Sequence, residues 1–490
     1  MQILECRRAL VCAVAILGFG TAAVSRSAET GTDKVPITTS SEEARKLYLQ
    51  GRDLFEKLRA GDARTYFEQA VAKDKSFALA HLGLANTAPS AKGFFESVKE
   101  AVALGPKVSE GERLLIEGAD AGVKGNVAQQ KSDLAKLAQL YPKDERVQNA
   151  MGQFYFGQQD YPNAIEAYKK ATALNPSFSQ PYNQLGYAYR FTGKYADAEQ
   201  TFKKYTEIIP DDPNPYDSYA ELLMKMGRHD ESIKNYEKAL SLNKNFVASY
   251  IGISNNQMFM GKGAEARTTL GRLAAVARND GERRQAHFWT AVSYVYEGDT
   301  EKALAEVEQM LAIAEKGGDV AAASGDQNLM GDILLEAGQP DKAAPFYEKT
   351  VSTMDRASVP AEVKEAARRN LLYDQTRIAL AKRDLPAAKA KSTAYAQQVA
   401  AKKVPFEVRQ QHELAGRIAL AEKSYAAAVA ELEQASQRDP RVLFVLATAL
   451  KGKGDAARAR EVCKEAANFN ELGVNYAYVR TRAKDMLAKS

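Results

Sequence analysis

The sequence predicts an all-α protein, a superhelical solenoid of stacked antiparallel helix pairs. Three observations carry this. A pattern of small and large residues returns every 34 positions through the middle of the chain. Glycine and proline fall at fixed places within that period, and between them apolar residues recur at three and four, the spacing of one buried helix face.

The most legible unit runs from Glu145 to Phe178, with Met151, Gly152 and Tyr155 in a first helix, Ala164, Tyr168 and Ala171 in a second, and Pro176 closing it. A shift of 34 returns Leu185, Gly186, Tyr189, Ala198, Phe202, Tyr205 and Pro210, and another returns Tyr219, Ala220, Leu223, Ser232, Tyr236 and Ala239. Positions 8, 20 and 27 of the unit are small because helices cross there with their backbones close together. Positions 4, 7, 11 and 24 are large because they fill the space beside those crossings. Gly193 and Gly227, at position 15, sit where a left-handed residue ends the first helix, and Pro142, Pro176 and Pro210, at position 32, stop the second.

This register places unit starts at 44, 78, 111, 145, 179, 213, 247, 284, 324, 369, 409 and 440. Residues 41–280 are expected to form a regular array, and 281–470 longer, less regular repeats with lengthened helices or loops, notably at Lys316 to Gly325 and Ser352 to Pro360. The unit at 78 departs most, because Pro89 and Gly93 interrupt it. Ser40 with Glu43 and Ser109 with Glu112 are capping-box pairs at helix entrances. Residues 471–490 have no following unit and are expected to form a capping helix, with Arg482, Lys484 and Lys489 keeping its outer face soluble.

A 34-residue period with this signature resembles the tetratricopeptide repeat, and the chain resembles a bacterial exported member of that family. The resemblance covers nearly all of residues 41–490 and leaves no segment large enough for a separate catalytic domain.

Residues 1–28 read as a signal peptide. Arg7 and Arg8 precede an uncharged run from Ala9 to Val24, and Thr21, Ala22, Ala23, Ser25 and Ala28 offer small residues for a cut between Ala23 and Ala28. The expected location is periplasmic or secreted, the alternative being a chain held at the membrane by an uncleaved leader. Residues 29–40, with Gly31 and Pro36, are expected to be a flexible lead-in. The leader carries a net +2 of the chain's +5, so the remainder is nearly neutral, which argues against nucleic acid as a partner. Of three cysteines only Cys463 lies beyond the leader, so no intrachain disulfide is expected after cleavage.

No sequence motif for catalysis, cofactor or metal is present: there is no HExxH, no P-loop and no Gly-x-Ser-x-Gly. His81, His287 and His412 all fall at position 4, held elsewhere by Tyr182, Tyr216 and Tyr250, and so read as packing residues. His229 falls between helices beside Asp230 and Glu231. Cys463 occupies position 24, a core slot filled by Tyr168 and Phe202 in other units. No catalytic, cofactor or metal residue is assigned, and enzyme activity is not expected.

The resemblance implies a partner protein or peptide held in the groove lined by the first helices, to which positions 2, 5, 9, 12 and 13 point. The residues this selects for peptide binding are Asn149, Gln153, Asn183, Tyr187, Arg190, Phe191, Asp217, Glu221, Asn255 and Phe259. Asparagine at equal steps can both donate to and accept from a peptide backbone, while Tyr187, Phe191 and Phe259 offer apolar anchor surface. These side chains are expected to be exposed and dispensable to the core. No three consecutive units supply the lysine, asparagine and arginine set with which chaperone-binding relatives clamp a C-terminal carboxylate. The alternative is a structural component of a cell-envelope assembly that meets its partners through the convex face or the second half of the chain.

Overall fold

The computed structural model describes residues 33–402 and 404–489, so the expected leader, residues 1–28, and residues 29–32 of the expected lead-in lie outside the described residues. Among them are 25 α-helices, twelve consecutive pairs followed by one last helix, and no strand. Their starts follow the 34-residue register: the first helices of the units at 145, 179 and 213 are Glu145–Gly157, Ser179–Phe191 and Pro213–Lys225.

The packing logic of the register is visible at its small positions. A Cβ on Gly186 would stand 2.6 Å from the Phe202 ring, and one on Gly331 would stand 2.8 Å from Tyr347. Position 8 is therefore small because the ring at position 24 of the same unit lies flat against it. Residue 15 is left-handed in eleven units, as glycine at Gly193 (φ 73°) and Gly227 (φ 76°), but also as Leu58, Gln159, Arg383 and Lys423 with φ of 60–62°. The turn between paired helices thus imposes this conformation whether or not the residue suits it.

One local expectation changes and two are refined. The capping box at Ser109 and Glu112 is present, but the first helix is capped by Ser41, whose side chain accepts from Ala44 N–H, one residue later than the sequence pairing of Ser40 with Glu43. The unit at 78 keeps two helices, because Ala78–Asn86 stops short of Pro89 and Ser90 caps a new helix, Ala91–Leu104. In the second half the extra residues lengthen helices rather than loops. Val320–Glu336 has 17 residues and Ala361–Ala381 has 21, against 13 for Ser179–Phe191.

The chain divides into two compact units, one ending at Leu222 and the other running from Leu223 to Ser490. The sequence division at 280/281 marks where helices lengthen, beginning with Asp280–Glu297 (18 residues), but it does not mark a break in packing. One core cluster in the second unit extends from Met224 through Trp289 and Met330 to Tyr476 and Ala483.

In the first unit, residues 34–40 are an ordered extended strap rather than a flexible lead-in. Val35 N–H donates to Asp144 (2.8 Å), Thr38 N–H to Glu112 (2.7 Å) and Ser40 N–H to Asp74 (3.0 Å), and Lys34 pairs with Glu145. Those carboxylates lie at or just before the starts of three successive first helices, where an acid also favours the helix dipole. Three hydroxyls and two backbone N–H groups converge on Asp74 and, against the effect of burial, hold its carboxyl far below the usual range.

Candidate functional site: the faces of the first helices

In the first unit the residues selected from sequence form a ladder from one first helix to the next. Asn149 Nδ2 donates to Gln180 Oε1 (2.8 Å), and Asn183 Nδ2 donates to Ser218 Oγ (2.6 Å) and Asn214 Oδ1 (3.2 Å). Glu221 accepts from Tyr187 Oη (2.7 Å) and from Arg190 Nη1 (2.6 Å). Burial, and then the Glu221 carboxylate, push the Tyr187 hydroxyl well above its ordinary range, so it stays a donor. Beside the ladder, Phe191 packs against Phe156, Tyr161 and Tyr187, and the Arg190 guanidinium lies over Tyr187 (5.7 Å) and Phe191 (5.4 Å).

The expectation of exposed, dispensable contacts is therefore corrected for most of these residues. Asn149, Asn183, Arg190 and Asp217 are buried, Arg190 to 3% exposure, because each long polar side chain lies along its neighbour's helix instead of pointing into solvent. Tyr187, Phe191 and Glu221 are half-buried and present an edge, while Gln153 is exposed. Asn149 Oδ1 is buried with no hydrogen-bond partner among the described residues, so one amide acceptor on this face is unused. At the other end of the stack Arg146 reaches across to Glu56 of the first pair in a forked ion pair (2.6 and 3.0 Å).

In the second unit the corresponding face is covered by the chain's own C-terminal segment. Position 13 of four successive units, Lys225, Phe259, Tyr296 and Glu336, lines up along it. Lys225 donates to the Phe469 carbonyl (2.7 Å) and pairs with Glu471 (3.0 Å). Tyr476 packs edge-on against Phe259 (5.3 Å) and Tyr296 (6.1 Å), Arg480 donates to the Phe259 carbonyl (2.6 Å), and Arg482 pairs with Glu336 (2.9 Å). Phe259 and Asn255 are consequently buried, at 5% and 0% exposure, so neither is an open peptide contact. Asn255 Nδ2 turns back to the Ile251 carbonyl (2.9 Å).

The helix Val474–Ala488 is thus more than the expected end cap. One side packs on the last pair, where Cys463 Sγ donates to the Ala483 carbonyl (3.3 Å), and another lies on the face of the first helices. Arg482, Lys484 and Lys489 are exposed as expected, and Arg482 in addition pairs with Glu336. Sequence reasoning missed this docking because periodicity reports contacts between neighbouring units only. The available signal was the run Val474 to Val479, with apolar or aromatic residues on more than one face of the helix, which a cap with a single buried side does not need.

Beneath that helix lies a buried charge network. Arg377 meets Asp332 (2.7 Å), Asp374 (3.2 Å) and Glu336 (3.3 Å), and Arg441 lies 4.0 Å from Glu336. Burial alone would raise Glu336, but Arg377, Arg441, Arg482 and Arg417 together bring its carboxyl down to about 2. Burial pushes Asp374 the other way, above the carboxylate range.

His81, His287 and His412 are half-buried at position 4 of their units, while His229, expected between helices, opens the helix His229–Leu242. His287 and His412 each have Nδ1 at 2.7 Å from a glutamate on the paired helix (Glu306 and Glu431), and His229 meets Asn256 (2.8 Å). Cys463 is 1% exposed, and burial raises its thiol. Among the described residues no group of three or more His, Cys, Asp or Glu could hold a metal ion, and no helix is long and apolar enough to cross a membrane.

Comparison with known proteins follows the same register. Residues 152–190 match the family model of a TPR repeat, and residues 48–92, 179–212 and 214–246 match models described as tetratricopeptide repeat. No curated protein matches the chain. Among solved structures, it is similar to a tetratricopeptide repeat protein from Parabacteroides merdae, at 15% identity over 56% of this chain and 94% of that one, with a TM-score of 0.35. It is also similar to YrrB, a TPR protein with an unusual peptide-binding site (19% identity, 37% of this chain and 91% of that one, TM-score 0.27). A third is MamA (20% identity, 34% of this chain and 97% of that one, TM-score 0.28). Residues 48–92 and 152–246 therefore carry tetratricopeptide repeats, and they lie within a run of consecutive helix pairs that extends from Glu42 to Ala467.

Proposed function

We propose that this protein is an exported scaffold that binds a partner protein or peptide on the face of the first helices between residues 145 and 222. The observation that carries the reading is the ladder from Asn149 to Glu221, whose rungs fix neighbouring helices to one another and hold the edges of Tyr187 and Phe191 beside the exposed Gln153. A surface whose aromatic and arginine side chains are already immobilised loses little conformational entropy on binding, which favours affinity. Export rests on residues 1–28, with their basic start, apolar run and small residues at the end. Affinity capture with the mature chain, its Gln153→Ala with Phe191→Ala variant and a Lys169→Ala with Lys203→Ala control tests the reading. Loss of captured partners in the first variant alone is the expected result, and an unchanged set moves the site elsewhere. A reporter active only outside the cytoplasm, fused behind residues 1–28, tests export.

A second reading places partner contacts on the outer face of the second unit. A cleft of about 530 Å³ opens there between Thr300–Lys316 and Pro340–Arg356, with Glu308 and Glu315 on one wall, Lys349 and Arg356 on the other, and Gln327 and Met330 on its floor. That cleft suits contact with a cell-envelope assembly through the second half of the chain.

A further inference from the structure

The covered face of the second unit carries information about what else it can hold. Between Phe469 and Arg482 the chain contacts position 13 of four successive units, and in three kinds of chemistry. Lys225 grips the start of the segment through the Phe469 carbonyl and Glu471, and its ammonium stands 4.2 Å above the Phe469 ring. Tyr476, 1% exposed, fills an aromatic slot between Phe259 and Tyr296. Arg480 and Arg482, four and six residues further, reach the end of one first helix and the carboxylate at the end of another. A cation at the C-terminal end of a helix, where carbonyls lack partners, is favoured by both hydrogen bonding and the helix dipole.

The seam is nevertheless incompletely satisfied. Tyr296 Oη, Tyr478 Oη and Asn475 Oδ1 are buried with no hydrogen-bond partner among the described residues, and all three lie on the segment or against it. Each such group costs free energy, recovered at Tyr296 by an occupant that bonds its hydroxyl and at Asn475 and Tyr478 by water once the segment is released. The segment is also joined to the last pair by the short link 468–473, which carries no helix and passes through Asn470 at φ 45°. Asparagine tolerates the left-handed region, so the link turns sharply at Asn470 without glycine, and its side chain accepts from Tyr476 Oη (3.1 Å) in the seated state.

We propose that the face of the first helices from Lys225 to Glu336 is a second recognition surface for an amphipathic helix, that residues 468–489 are its resident occupant, and that a partner helix bearing an aromatic residue followed at four and six positions by arginine displaces them. The inference rests on the reading of the chain as a partner-binding scaffold, but uses a different face from residues 145–222. Because the occupant is tethered, an outside helix competes against a high effective concentration, so the surface stays closed to weak ligands.

The test uses the full mature chain, an Arg480→Ala with Arg482→Ala variant, and a fluorescent synthetic peptide copying residues 468–489. Hydrogen exchange reads release of Val474–Ala488, and anisotropy reads peptide binding. We expect exchange in that helix to quicken at least about tenfold in the variant while Pro440–Lys453 is unchanged. We also expect the peptide to bind the variant at least about tenfold more tightly than the parent, with a scrambled peptide inactive. Should the double variant fail to melt cooperatively, Lys225→Met, which loosens only the grip on Phe469 and Glu471, gives the same readings. A released helix with no peptide binding overturns the proposal, as does exchange at Val474–Ala488 that never departs from that of Pro440–Lys453. Neither result touches the scaffold reading, whose site on residues 145–222 is tested separately by the substitutions at Gln153 and Phe191.

Discussion

Residues 145–222 and residues 223–490 use the same repeat register and treat the face of their first helices in opposite ways. In the former, side chains lie along the face and bond to the next unit, as Asn183 does to Ser218 and Arg190 to Glu221, leaving aromatic edges at the surface. In the latter, a segment from the end of the chain lies on the face, and Phe259 and Tyr296 pack against Tyr476. The register dictates which positions face inward. It does not dictate whether they meet solvent, each other or the chain's own terminus.

The largest expected effect sharpens the second half of that comparison. Replacing Tyr476 with Ala removes a ring held at 1% exposure among three aromatic neighbours, and should lower stability by about 3–5 kcal/mol in chemical denaturation. A loss under about 1 kcal/mol would mean that the C-terminal helix is not part of that core. In the first half, the combined Asn183→Ala, Tyr187→Ala and Arg190→Ala variant should lose about 3 kcal/mol or more, because Glu221 and Ser218 are left without their partners. Thermal melts matching the parent would restore the view of these residues as free surface. Gly186→Val should cost about 1–3 kcal/mol through the clash with Phe202, in either chemical or thermal unfolding.

Acid should separate the two regions further. The Glu336 carboxyl is held at about 2, below its ordinary value, so its stabilisation is complete above that ordinary value and is lost as pH falls toward 2. Glu336→Gln should therefore remove part of the pH dependence of stability between about pH 4.5 and 2, measured by denaturant melts across that range. An unaltered acid profile would separate Glu336 from the arginines around it. The smallest effect concerns the turns: Gln159→Gly or Lys423→Gly should raise stability by about 0.5–1 kcal/mol, because each residue is left-handed at φ 62°. Destabilisation by both would show that their side chains contribute more than the strain costs.

Much of the fold was legible because a solenoid is built from neighbour contacts. Gly186 over Phe202, the capping box at Ser109 and the left-handed turn after each first helix are all consequences of residues within one unit. The choice of inward-facing residues was equally legible, since Asn149, Asn183, Tyr187 and Glu221 do take part in one ladder. Their burial was not, because it depends on side chains about 31–35 residues away choosing one another over solvent. The docking of both ends was less legible still. Strap residues Val35 and Thr38 meet acids 109 and 74 residues away, and Lys225 meets Phe469 at a separation of 244, distances at which no periodicity speaks.

The central claim is that the C-terminal segment is seated against the first helices of residues 223–490, and the Lys225–Glu471 pair tests it most directly. Both side chains are nearly buried, at 13% and 9% exposure, and stand 3.0 Å apart. A double-mutant cycle of Lys225→Met and Glu471→Gln, read by denaturant unfolding of the full mature chain, should give a coupling of about 1–3 kcal/mol. A coupling below about 0.3 kcal/mol would contradict the account, since two residues so far apart in sequence can couple only if the segment lies where the structure places it.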